Sequence, residues 1–259
     1  MASNSAPNDR MELRVEEGVA EIRLTFPEKR NCFSAAFIED FNAVVGEIRD
    51  RSGEDVFSIA VTAEGPVFSS GADTDRVTDP DAADPGDVGY EGSMAWLREG
   101  PVPVVTGARG AAVGAGAGLL RSGDFRIATP SLEIWWPETQ YGLPSLTLIP
   151  KIAPDVGVNR ALEMALLGRD GSMTGEEAHA LGFVTRLAPD GELEDRTREL
   201  ALTLSEYDQR YGIASEFLAV RNRVREGLTA PAMTFARRRS DRLPSLRHKA
   251  PDTGLQRSE

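Results

Sequence analysis

Cysteine, histidine and lysine are scarce in this chain of 259 residues, and each scarcity excludes something. Cys32 stands alone, so no intramolecular disulfide can form. His179 and His248 are the only histidines, and with Cys32 they supply too few ligands for a Cys/His metal site. No metal and no resident cofactor are expected. Lysine occurs only at Lys29, Lys151 and Lys249, the other basic residues being arginine. That bias suits a salt-adapted or GC-rich source, and codon bias with a solvated acidic surface explains it equally well. Long apolar runs are also missing: nothing approaches the roughly 20 uninterrupted apolar residues of a bilayer crossing. Residues 1–10 lack the apolar stretch of a signal peptide, and a cytoplasmic protein is expected. The formal net charge of −12 opposes nonspecific nucleic-acid binding, which relies on a basic face to displace counterions.

What is present is enough apolar sequence, 41%, to bury a substantial core. Residues 11–15 and 19–26 alternate apolar and polar around Gly18, which predicts a hairpin. Ser34 stands as an N-cap before Phe37, Ile38, Phe41, Val44, Val45 and Ile48, whose spacing of three and four makes one helical face, and Gly53 stops that helix. Residues 56–61, 102–105, 125–128 and 132–135 read as strands with helical segments among them, the pattern of an α/β core. Thr174 with Glu177 forms a capping box for a helix closed by Gly182, a short strand follows at 183–187, and the remainder is mainly helical. The expected division is a core over 1–190 and a helical region over 191–259. Residues 236–242 are Arg-rich, a solvated face or a phosphate or subunit contact; residues 78–89, rich in Asp, Ala, Pro and Gly, predict a mobile loop placed to act as a lid.

Three clusters carry chemistry. The first, Phe68-Ser69-Ser70-Gly71-Ala72-Asp73, has small residues after a strand, where a ligand can approach backbone N–H groups, although a tight turn without ligand has the same composition. The second, residues 110–120, has glycines unsuited to a helix unless close packing or an exposed backbone requires them. The third is Trp135-Trp136-Pro137-Glu138. A carboxylate beside two indoles and a proline is partly desolvated, which raises its pKa and makes Glu138 the strongest general-base candidate.

In order and spacing, over roughly residues 11–187, these clusters resemble the enoyl-CoA hydratase/isomerase (crotonase) family. The motifs that carry the resemblance are Pro27-Glu28-Lys29-Arg30-Asn31, Ser70-Gly71-Ala72-Asp73, Gly114-Ala115-Gly116 and Pro137-Glu138, with the segments 157–168 and 173–184 following. The last sixty or so residues match poorly. The resemblance implies an α/β spiral of β-β-α repeats with a C-terminal helical trimerisation region, assembled as homotrimers or as hexamers of two trimers. It implies an acyl-CoA thioester as substrate, CoA being part of that substrate, with Lys29, Arg30, Asn31, Ser70, Ala72 and Asp73 bordering the CoA arm. The backbone N–H groups of Ala72 and Ala115 would form an oxyanion hole and Glu138 would carry the proton.

One departure bears on the reaction. By the same resemblance, hydratases carry a second Glu where this chain has Gly118, so water would lack one of its two orienting carboxylates. A single carboxylate still suffices to move a proton two carbons along an enoyl thioester, and double-bond isomerisation is expected. Alternatives are hydration, a hydroxycinnamoyl-CoA hydratase-lyase, and a silent CoA-binding paralogue. Thioester hydrolysis fits less well, because the additional Asp of the related hydrolases falls near Leu146 here.

Overall fold

The computed structural model describes residues 3–4, 10–73, 89–143 and 145–240. β1 (Ser3–Asn4) lies on the edge of β2 (Met11–Glu16), which pairs antiparallel with β3 (Val19–Leu24) from Met11↔Leu24 to Glu16↔Val19. The turn residues Glu17 (φ 55°) and Gly18 (φ 78°) both have the positive φ that matches the twist of a two-residue hairpin. α1 (Ala35–Arg51) follows. The Phe37 N–H donates to Ser34 Oγ at 3.3 Å, and the six apolar residues of the expected face are all buried.

β4 (Ser58–Ala63), β5 (Val104–Ala108), β7 (Phe125–Ala128) and β10 (Arg186–Leu187) then continue the sheet in parallel, giving the order β1-β2-β3-β4-β5-β7-β10. Between them run α2 (Glu91–Glu99) and α3 (Ala115–Ser122). A second sheet is built from β6 (Ala111–Val113), β8 (Glu133–Trp135) and β9 (Met173–Thr174). Isolated parallel bridges, Phe33↔Ala72 and Ser69↔Ala112, join the earlier turns of the chain to this second layer. Each turn of the spiral thus supplies a long strand and then a short extended piece, and helices complete the turns. This is the repeated β-β-α architecture that the resemblance implies.

Hydrophobicity located the strands but misplaced their ends. β4 starts at Ser58, because the Val56 N–H is turned back onto Arg51 O while its side chain stays in the core. β5 starts at Val104, two residues later than expected. Only Arg186–Leu187 of the predicted 183–187 strand joins a ladder, since the Val184 N–H closes onto Ala178 O at the end of the capped helix. Burial drives an apolar run inward whether or not its backbone finds a strand partner. Residues 78–88 of the expected lid lie outside the described residues.

α4 (Leu148–Val156) and α5 (Val158–Leu167) follow the second sheet, and α6 (Gly175–Leu181) carries the capping box, its Thr174 and Glu177 bonded in both directions. α7 (Leu193–Tyr211) crosses the sheet on the face opposite α1. There Leu193, Leu200 and Ala201 pack on Val19, Ala60, Val105 and Ile127. Coverage on both faces explains why β4 and β5 are apolar nearly throughout rather than alternating.

α8 (Ala214–Ser240) is held at the C-terminal end of α2. Arg221 donates to Asp124 Oδ1 (2.6 Å) and Gly100 O (3.0 Å), Asn222 to Glu99 O (2.7 Å) and Arg225 to Arg98 O (2.9 Å). Cationic side chains there satisfy carbonyls that the end of a helix leaves open. The Arg-rich segment is helical in its backbone as far as Ser240, and residues 241–242 lie outside the described residues. No helix among the described residues is long and apolar enough to cross a membrane.

Candidate active site

Two backbone segments are pressed together by glycine. Ser69 donates its N–H to Ala111 O and accepts from the Val113 N–H, while Gly71 O accepts from the Phe33 N–H. That clamp brings Gly71 (φ 82°) so close to the start of α3 that a Cβ on it would lie 2.4 Å from Val113 O and 3.4 Å from Ala115 N. At Gly114, φ 51° and ψ −112° turn the chain from β6 into α3, a conformation reserved for glycine. Ala115 is therefore the first residue of a helix that starts beside residues 71–72. Neither the Ala72 N–H nor the Ala115 N–H has a hydrogen-bond acceptor among the described residues. For Ala115 that follows from its place, since the first N–H groups of a helix have no acceptor within it.

Glu138 is brought to the same place by β8. The Gly114 N–H donates to Trp135 O, and Pro137 Cδ lies 3.5 Å from where a Cβ on Gly114 would stand. The chain then enters a 3₁₀ turn, Glu138–Tyr141, closed by Gly142 in the left-handed region. Trp136 is buried beneath it. Glu138 Oε2 is buried without a hydrogen-bond partner among the described residues. Burial pushes its carboxyl above the ordinary carboxylate range, against the pull of its own backbone N–H and of Lys151.

Glu138, Gly114, Ala115 and Gly118 line one cavity of about 640 Å³, a size suited to a small-molecule ligand. Its wall includes three polar side chains that the motifs did not single out: Tyr90, Arg121 and Lys151. Burial, then the charges of Glu91 and Glu138, pushes the Tyr90 phenol up to about 12, so it is a neutral hydrogen-bond donor at ordinary pH. Burial lowers the Lys151 ammonium, and neighbouring Glu91 resists that shift. A visible signal for Lys151 was its position as the one cation in the apolar stretch Leu148–Val156.

The predicted CoA-bordering residues divide into two kinds. Asn31 is fully buried; its side chain accepts from the Phe26 N–H and donates to Glu64 O and Val67 O, and its own carbonyl accepts from Ser69 Oγ. It positions the Ser69 segment rather than offering a side chain to a ligand. Lys29 and Arg30 are exposed, whereas Ser70, Ala72 and Asp73 are half-buried, with the Ser70 N–H bonded to Arg30 O. None of these six residues lines the cavity of Glu138; Ala72 follows Gly71, whose backbone lies against residues 113–115. Cys32 lies among them, its thiol raised first by burial and then by Asp73, which makes it a poor nucleophile.

The sequence pattern described as Enoyl-CoA hydratase/isomerase matches residues 14–232. The chain belongs to this family. It is 31% identical over 204 residues to 1,2-epoxyphenylacetyl-CoA isomerase of Escherichia coli, with 74% of each chain covered. It is 29% identical over 195 residues to the mitochondrial enoyl-CoA hydratase domain-containing protein 3 of Mus musculus, covering 74% of this chain and 64% of the relative. The match thus spans less than two thirds of that mouse protein's length, as it does for the human one, at 61%. The crystal structure of the human protein superposes with a TM-score of 0.74 at 27% identity, covering 87% of this chain and 90% of that one. An enoyl-CoA hydratase/isomerase from Xanthobacter autotrophicus Py2 has the same fold, with a TM-score of 0.76 at 22% identity over 89% and 87% of the two chains.

The raised pKa of Glu138 has a consequence for stability. The unfolded chain ionises this group at its ordinary pKa, near 4.5, and the folded chain only at higher pH. Its contribution to stability is present below the ordinary value and is lost as pH rises through the folded one. Glu138→Gln should therefore raise the melting temperature relative to the native protein at about pH 8, with the difference vanishing at about pH 4. Thermal melts of both proteins across that range check it; a difference independent of pH would remove the burial argument.

Proposed function

We propose that the chain isomerises the double bond of an enoyl-CoA thioester, with Glu138 as the only proton carrier. The observation that carries this reading is the Glu138 carboxylate, its buried Oε2 without a hydrogen-bond partner among the described residues, sharing a cavity with the start of α3, where the Ala115 N–H is free, and with Gly118, which brings no carboxylate. A thioester carbonyl placed against the two N–H groups makes its C2 protons acidic. Glu138 removes one from a 3-enoyl thioester, the electron pair spreads over C2 to C4 and the carbonyl oxygen, and each donor stabilises that oxygen by about 3 kcal/mol. Return of the proton to C4 gives the 2-enoyl thioester and restores the carboxylate. A raised pKa suits both steps, since the group must take and release a proton near neutrality.

A hydratase, or a hydratase-lyase, is the second reading. It is favoured by Tyr90, whose hydroxyl shares the cavity and offers a water molecule a second polar contact, and by the relatives that carry hydratase in their names. Glu138 in its desolvated place argues against a silent paralogue. CoA would lie along the Lys29–Asn31 turn and the Ser70–Asp73 segment. A homotrimer, or a hexamer of two trimers, completes the reading, because Phe217, Val220, Val224 and Leu228 make one exposed apolar stripe along α8. The setting is taken as cytoplasmic, although the mammalian relatives are named as mitochondrial.

Incubation with 3-enoyl-CoA, 2-enoyl-CoA and feruloyl-CoA, with products resolved by mass and retention, separates these reactions. Isomerisation of 3-enoyl-CoA should be the fastest, and Glu138→Gln should lower it by roughly 10² or more while thioester binding persists. Hydration outpacing isomerisation in the native enzyme would overturn the assignment. A Cβ on Gly118 meets only Met94 Sδ, at 3.7 Å, so Gly118→Glu should fold and shift the product ratio towards hydration. An unchanged ratio in a folded variant would show that the missing carboxylate is not what sets the reaction. Light scattering should give a trimeric or hexameric mass that falls in Phe217→Glu/Val224→Glu; a monomeric native protein would refute the assembly.

A further inference from the structure

Of the four cations that the described residues place on the wall of the cavity that holds Glu138, Arg98 is tied to Glu99 and Arg225 to Arg98 O and Asp124, which leaves Lys151 and Arg121. Lys151 has no hydrogen bond and no ion pair within 4.0 Å among the described residues, although it lines the cavity. Arg121 gives its Nε to Asp155 Oδ2 at 3.0 Å, and its two Nη groups have no partner among the described residues. Asp155 is fully used, because its other oxygen takes Arg126 at 2.9 Å. Of the other carboxylates on the wall, Glu99 pairs with Arg98 and Glu226 with Arg223, which leaves Glu91 and Glu138 facing the two cations.

The placement along α3 is orderly. Ala115, Gly118 and Arg121 are spaced by three, so they share a face of the helix, and all three line the cavity. With a rise of 1.5 Å per residue, Arg121 lies about 9 Å further along the axis than Ala115. A thioester oxygen at the Ala115 N–H therefore directs a short acyl chain past Glu138 and Gly118 towards Arg121 and Lys151. A neutral acyl chain would leave the partly desolvated Lys151 ammonium and the Arg121 Nη groups without a hydrogen-bond acceptor at that end.

We propose that the acyl group carries a terminal carboxylate, bound by Lys151 and Arg121, so that the substrate is a short dicarboxylic acyl-CoA thioester. This rests on the acyl-CoA reading of the site and specifies its substrate class. Lys151 and Arg121 act as specificity residues, with no part in the proton transfer.

The test uses saturated thioesters, which bind without turnover: adipoyl-CoA against hexanoyl-CoA, which share a six-carbon chain and differ in the terminal carboxylate. Calorimetry on the full chain should give adipoyl-CoA about tenfold or more the affinity of hexanoyl-CoA, with the preference shrinking as salt rises. Lys151→Gln should erase most of the preference while hexanoyl-CoA still binds, and Lys151→Arg should keep it. The arginine variant controls for misfolding, as do thermal melts of both. Equal binding of the two thioesters by the native chain overturns the proposal and leaves the acyl-CoA reading in place. So does a preference that survives in Lys151→Gln/Arg121→Gln. Binding of neither thioester removes the acyl-CoA reading, and the proposal with it.

Discussion

The site depends on one close approach, that of the Gly71 backbone to the last residue of β6 and the first of α3. No side chain larger than hydrogen fits there, since a Cβ would come within 2.4 Å of Val113 O. The approach is enforced from both sides, by the Ser69 ladder to Ala111 and Val113 and by the Phe33 bond to Gly71 O. Asn31 adds a third restraint through Ser69 Oγ. Two N–H groups from segments more than forty residues apart are thereby held together by backbone geometry. Such donors need no rearrangement when charge develops, which is what makes preplaced amides effective.

Around that fixed pair the cavity is electrostatically unfinished. Glu138, Tyr90 and Lys151 are each shifted away from their charged forms by burial, and each is opposed or reinforced by the others or by Glu91. Charged and polar groups gathered without partners are costly to a folded chain. Perturbed titratable groups in one cleft are also where function concentrates.

Local rules made part of this legible from the amino-acid order. The hairpin, the Ser34 cap with its six apolar residues and the Thr174 capping box each follow from contacts within a few residues, and each is found where the sequence predicts it. Glu138 and the glycines stood out because Trp136, Pro137 and a glycine-rich helix start are unusual neighbours. The strand ends were not legible, because the burial of Val56 and Phe183 looks like strand hydrophobicity in one dimension. Nor was the role of Asn31, whose partners Glu64 O and Val67 O are more than thirty residues away. The convergence of Lys151 and Arg121 needs α3 and α4 to line one cavity, joined by the Arg121–Asp155 bond, which no periodicity conveys.

The grip of α8 on the end of α2 carries a last consequence. Arg225, Thr229 and Met233 of α8 line the same cavity as Tyr90 and Met94, and the bonds that fasten them span 121 to 127 residues of chain. At roughly 5–20 residues per second of synthesis, that separation corresponds to on the order of ten seconds on the ribosome. Ala115 and Glu138 are thus synthesised before the α8 residues that wall the same cavity. The last of the described helices to be made is the one that closes the chamber.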